Sequence, residues 1–145
     1  MYLLDTNVIS EVRKARAGKA DQNVAAWAAA VPVADLFVSV IAIQEIEIGV
    51  LLAERRDPRQ GRLLRVWLDV HLLGAFADRI LPVDVPVARR SAHLHVPGTR
   101  PVRDALIAAT ALVHGMIVVT RNVADFSPTG VPIVNPWERP AARLS

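Results

Sequence analysis

Four carboxylates in this 145-residue chain stand where the apolar pattern calls for a core side chain or the end of a strand. Asp5 closes the run Tyr2-Leu3-Leu4. Glu45 lies inside IAIQEIEI, on a helical stripe with Ile41, Ile48 and Leu52. Asp104 opens the stripe Asp104, Ala108, Ala111, Gly115, and Asp125 follows MIVVT across the short loop Arg121-Asn122-Val123-Ala124. A carboxylate at the rim of a core loses hydration and needs a cation or a set of donors in compensation. If the four converge, their repulsion calls for a cation. An oxygen-only donor set without a Cys or His cluster points to Mg²⁺, with Mn²⁺ as a substitute, rather than to zinc. Such an ion activates water and neutralises charge growing on a scissile phosphate and its leaving oxygen, so the chemistry is phosphodiester hydrolysis. Thr6 and Asn122 are placed to orient that water or one bound to the metal.

Each acid also has a purely structural reading. Glu45 can pair with one of many arginines, Asp104 suits the first turn of a helix, and Asp125 suits a turn or cap. Asp5 has the fewest such roles, because a carboxylate seldom closes a buried strand. Glu47 falls on another side of its helix with Ile43 and Glu54, where solvent or an ion pair is expected. The elements that carry the acids decide whether they meet.

Short apolar runs at 2–5, 36–40, 80–83 and 116–120 read as strands, with Ile133-Val134 as a fifth, at an edge. Helical patterns run between them: from Thr6 or Asn7 to about Lys14, from an Asp21 cap to Pro32, from Ile41 to about Glu54, and from Pro58 to Phe76. Two more run from Pro86 to His95 and from Pro101 to Gly115. Strands alternating with helices predict an α/β fold with a short, mainly parallel sheet of four or five strands covered on both faces. Ligands of such sheets collect beyond the carboxyl ends of the strands, where Asp5 and Asp125 belong. No internal repeat or linker divides residues 1–145, and a single domain is expected.

Composition narrows the function. No cysteine is present, which removes disulfides, thiolate zinc sites and cysteine nucleophiles. The first apolar run is too short for a signal-peptide core, and the longest, Ala105 to Val119, falls short of the roughly 20 residues of a membrane span. A cytoplasmic protein without membrane contact is expected. Fifteen of the seventeen basic residues are arginine, and a pI near 10.2 suits a polyanionic partner. Gly-rich phosphate loops, G-x-S-x-G elbows and H-E-x-x-H motifs are absent. His71, His93, His95 and His114 are scattered and read as structural or surface residues, while Trp27 and Trp67 fall on apolar helical faces.

The segments YLLDTNVISE, VSVIAIQEIEIGV, RDALIAATALVHGMIVVTRNVADF and VPIVNPW together resemble the PIN-domain ribonucleases. The likeness is to the toxin components of VapBC-type toxin–antitoxin modules, in particular the FitB-like branch, and it covers nearly the whole chain in order. It implies a PIN-like three-layer α/β/α sandwich and a Mg²⁺-dependent endoribonuclease toxin. The family's four acids correspond to Asp5, Glu45, Asp104 and Asp125, and its T-x-N segment to Thr120-Arg121-Asn122; Asn122 and Asp125 compete for the last place in the site. On this reading Asp5 and Asp104 are direct metal ligands, and Glu45 and Asp125 are metal, water or general-base partners. The partners implied are an RNA substrate, a second copy of the chain in a homodimer, and a cognate antitoxin that neutralises the toxin, forms a higher assembly and contacts operator DNA. Two other functions remain open: a weakly catalytic or non-catalytic member of a DNA-binding repressor complex, and a nuclease directed at DNA.

Overall fold

The structure, a computed structural model, describes residues 1–138. Its sheet has five strands: β1 (Tyr2–Leu4), β2 (Leu36–Ser39), β3 (Ile80–Leu81), β4 (Ile117–Val119) and β5 (Ile133–Val134). All pair in parallel in the order β3-β2-β1-β4-β5. The chain first steps outward from β1 to β3, then returns to the other side of β1 for β4 and β5. The order therefore reverses beside β1, which makes the gap between the carboxyl ends of β1 and β4 the place where such a sheet opens to a ligand.

Strand alternation builds the two covered faces. Leu4, Leu36, Val38 and Val119 point into one core with Val8, Ile9, Ile46, Leu68 and Leu72. Leu3 and Val118 point the other way, onto Ile107, Ala108, Ala111 and Phe126. The first core is roofed by α1 (Thr6–Arg13), α2 (Gln22–Ala30), α3 (Val40–Arg56) and α4 (Pro58–Val66); the second lies mainly under α7 (Val102–His114). The three-layer α/β/α sandwich expected from the sequence is the architecture found.

Several boundaries move, each for a local reason. Asp5, rather than Thr6 or Asn7, caps α1, because its own carboxylate accepts from Thr6 N. Ser39 and Asp84 likewise cap α3 and α6 (Val85–Leu94), so these helices start one residue earlier than the apolar pattern and Pro86 indicate. Pro101 is the cap of α7 rather than its first helical residue. The helix expected over 58–76 is interrupted by a π-helical turn, Trp67–Leu72, before α5 (Leu73–Ala75). The wider turn shifts the helical phase so that Trp67, Leu68, Leu72 and Leu73 all reach the first core. Asp125 lies in a short helix, α8 (Val123–Phe126), where a loop was expected. No helix among the described residues is long and apolar enough to cross a membrane.

The α3–α4 hairpin is held on its outer side by Arg65, which pairs with Glu47 at 2.7 Å and Glu54 at 2.9 Å on the face expected to carry an ion pair. It is held closely because Gly61 has no side chain: a Cβ there would lie 2.5 Å from Glu54 Cα. Backbone cannot yield as a flexible side chain can. Gly61→Ala should therefore destabilise the protein by about 1–3 kcal/mol, which denaturant unfolding would measure; an unchanged midpoint would contradict the close approach.

Candidate active site

The site grows from the sheet register. Leu4 lies opposite Val38 on one side and Val119 on the other, so the next residues, Asp5, Ser39 and Thr120, end three adjacent strands at one level. Alternation turns Asp5 and Thr120 toward the face of Leu3 and Val118, the face that α7 covers. Asp5 is 7% exposed, and both its oxygens are engaged. Oδ1 accepts from Thr6 N at 2.8 Å, and Oδ2 accepts from the fully buried Thr120 hydroxyl at 2.8 Å. Thr120 Oγ1 in turn accepts from Asn122 N at 3.0 Å. Asn7 Oδ1 receives Arg121 N at 3.4 Å, and the Arg121 guanidinium lies over the Trp137 ring, tying the segment after β4 to α1.

Asp104 enters through α7. Ala108 and Ala111 on its stripe are fully buried against the sheet, which brings the first turn of the helix over the strand ends and leaves Asp104 half-buried there. Glu45 enters through α3 and is also half-buried, but not on the face expected. The core stripe of α3 is Ala42, Ile46, Val50 and Ala53; Ile48 and Leu52, which share Glu45's stripe, are 37% and 59% exposed. Glu45 thus stands beside the buried face instead of interrupting it. Asp125 is exposed on α8, and Asn122 meets the site through its backbone N–H rather than its carboxamide.

The carboxylates feel one another. Burial pushes Asp104 above the usual carboxylate range, and the charges of Asp125, Asp5 and Glu45 push it further. Burial also raises Asp5, against the opposing hydrogen bonds from Thr120 and Thr6 N, with Asp125 adding repulsion. Glu45 is raised by burial and by Asp5, and favoured as an anion by the Thr6 hydroxyl and by Arg103. That hydroxyl leans toward Glu45 without completing a hydrogen bond of ordinary geometry, and Thr6 Oγ1 is buried without a partner. Acids short of countercharge, beside an unsatisfied hydroxyl, make a donor set of the type a hard divalent cation takes. In the present side-chain positions no three Asp, Glu or His among the described residues close on one point as ligands.

Thr120 is the residue that reasoning from single positions passes over. Its signal was a hydroxyl directly after a buried strand, one residue beyond the apolar run and two before Asn122; its meaning needed the β1–β4 register.

The PIN-domain family model matches residues 2–128. The chain belongs to the PIN-domain family. Its relatives include the VapC ribonuclease Y4jK of Sinorhizobium fredii, 36% identical over 95% of this chain and 99% of that protein. Toxin FitB of Neisseria gonorrhoeae is 34% identical over 94% of this chain and 99% of its own. Among solved structures, FitAB bound to an IR36 DNA fragment superposes with a TM-score of 0.87 at 33% identity, covering 99% of this chain and 100% of that one. The fold of this PIN domain is therefore shared with the solved FitAB toxin–antitoxin complex.

Two outcomes test the electrostatics of this PIN domain. Thr120→Val removes the donor to buried Asp5 Oδ2, so stability at neutral pH should fall by about 1–3 kcal/mol and the Asp5 pKa should rise further; denaturant titration and carboxyl NMR would measure these. Asp104, whose pKa is raised, retains its proton in the fold at pH values where the unfolded chain has lost it. Its contribution is complete below about pH 4, the ordinary carboxylate value, and is lost as pH rises through the higher folded value. Metal-free Asp104→Asn should therefore melt above wild type near neutrality, with the gap closing toward about pH 4. A gap that widens on acidification would reverse the assigned shift.

Proposed function

We propose that this chain is a Mg²⁺-dependent endoribonuclease toxin of a type II toxin–antitoxin system, hydrolysing RNA phosphodiester bonds and neutralised by a cognate antitoxin. The observation that carries the reading is Asp5, buried at the switch point of the sheet with both oxygens held and close enough to Glu45, Asp104 and Asp125 to feel or exert their charge. Family membership and relatives named VapC ribonuclease and toxin FitB support the reaction and the biological setting. The family match over 2–128 and the unbroken sheet support reading 1–145 as one PIN domain.

In this proposal Asp5 and Asp104 would hold the ion, which when bound would supply water activation and charge compensation at the phosphate. Thr120 and the Thr6 N–H fix the Asp5 carboxylate, so this ligand needs no reorientation when the metal arrives. Glu45 and Asp125 accept a proton or position water, with Thr6 Oγ1 and Asn122 as hydrogen-bonding neighbours. Homodimerisation, and contact with operator DNA through the antitoxin, are part of the same proposal; the solved FitAB complex on DNA supports the latter. That complex also keeps a second reading in view, in which the chain acts chiefly within a repressor.

Purified protein should cleave single-stranded RNA with Mg²⁺, lose activity in chelator and regain it on Mg²⁺ or Mn²⁺ addition. Asp5→Ala and Asp104→Ala should each lower the rate at least about a hundredfold, the scale of several kcal/mol of charge stabilisation by an ion. Equal cleavage by wild type and both variants would overturn the catalytic assignment. Absence of cleavage, with promoter binding by the chain and its partner, would favour the repressor reading.

A further inference from the structure

Helix α6 has two unlike faces. Val87, Ser91 and Leu94 turn inward, and α6 packs along α7. Pro86, Arg89, Arg90 and His93, spaced i, i+3, i+4, i+7, form an exposed stripe flanking that buried face. With Val85 and with Val113 of α7 they line a groove of about 380 Å³. No carboxylate lines it. Arg89 and Arg90 are exposed, and neither is among the ion pairs of the described residues. The ionisable groups on the two helices are Arg89, Arg90, His93, Arg103, Asp104 and His114, preceded by Asp84 at the α6 cap. Asp84 uses one oxygen to accept from Val87 N at 3.2 Å. The groove is therefore a strip of uncompensated positive charge.

Its place in the fold gives the strip a use. Asp104 lies in the first turn of α7 and Val113 nine residues later, which separates groove and site by roughly 13 Å along one rigid helix. Seven residues connect α6 to α7, so the helices run antiparallel, and His93 and Arg90 lie nearer the Asp104 end than Pro86 does. We infer that the Arg89–Arg90–His93 groove is an accessory site for the sugar-phosphate backbone of single-stranded RNA, holding the strand away from the bond that is cut. The inference rests on the ribonuclease reading for its substrate. The groove's own chemistry, two guanidinium forks with an imidazole over an apolar floor, favours a phosphate chain over an apolar or basic partner.

The test is Arg89→Ala/Arg90→Ala in the full chain, compared with wild type and with Arg89→Lys/Arg90→Lys on labelled RNAs of about 4 and about 20 nucleotides. Both substitutions lie on exposed positions outside the acid cluster, so turnover of the short RNA should be unchanged. For the long RNA, KM should rise about tenfold at constant kcat, and binding measured in chelator should lose about 1.4 from its log–log salt slope, two phosphates at about 0.7 each. The lysine pair should retain most of that slope. Equal effects on short and long RNA, an unchanged salt slope, or conversion of a dimer to a monomer would overturn the inference, the last by making the face an interface between copies. Binding in chelator separates the two readings: a chain that cleaves nothing yet loses RNA affinity with the arginines refutes the enzyme and keeps the groove.

Discussion

Asp5 is held at both oxygens, by the first N–H of α1 and by the hydroxyl that ends β4, and the site is arranged around that buried carboxylate. The same side chain closes a strand, caps a helix and bridges to the neighbouring strand across the point where the sheet reverses its order. Losing water costs a carboxylate a great deal, so each contact is required by the burial that the strand imposes. Because its two donors come from rigid backbone and a fully buried threonine, the carboxylate has one orientation.

The other acids add their charges to a centre that is already committed. Asp104 rides on a helix whose alanines let it settle closely on the sheet, and it experiences the repulsion of all three companions. Glu45 comes from the opposite layer, and Asp125 from the short helix beyond β4. Three separate chain segments thus bring negative charge toward Asp5, and their mutual repulsion costs stability. A divalent cation held there, as proposed, would turn that repulsion into attraction for the ion.

The α3–α4 hairpin illustrates the opposite solution. Glu47 and Glu54 are compensated by Arg65 within the hairpin, while Glu45, two residues from Glu47, faces the charge of Asp5 instead. Helical periodicity separated these faces correctly but put the core on the wrong one. An apolar stripe of Ile41, Ile48 and Leu52 and another of Ala42, Ile46, Val50 and Ala53 are equally plausible by spacing. Only packing against β1, β2 and α1 selects the second.

From the sequence alone came the alternation of strands and helices, the parallel sheet, the four unusual acids and the all-oxygen character of their chemistry, since these depend on residue type and short-range spacing. Capping was only half legible, because an Asp or Ser before a helix looks the same whether it caps or serves a site, and Asp5 does both. Strand order was not in the sequence: nothing local says that β4 lies beside β1 rather than β3. That long-range pairing set Thr120 against Asp5, placed the crevice, and decided which face of α3 met the core. Residue chemistry acts over bonds and turns, whereas register acts across 115 residues of chain.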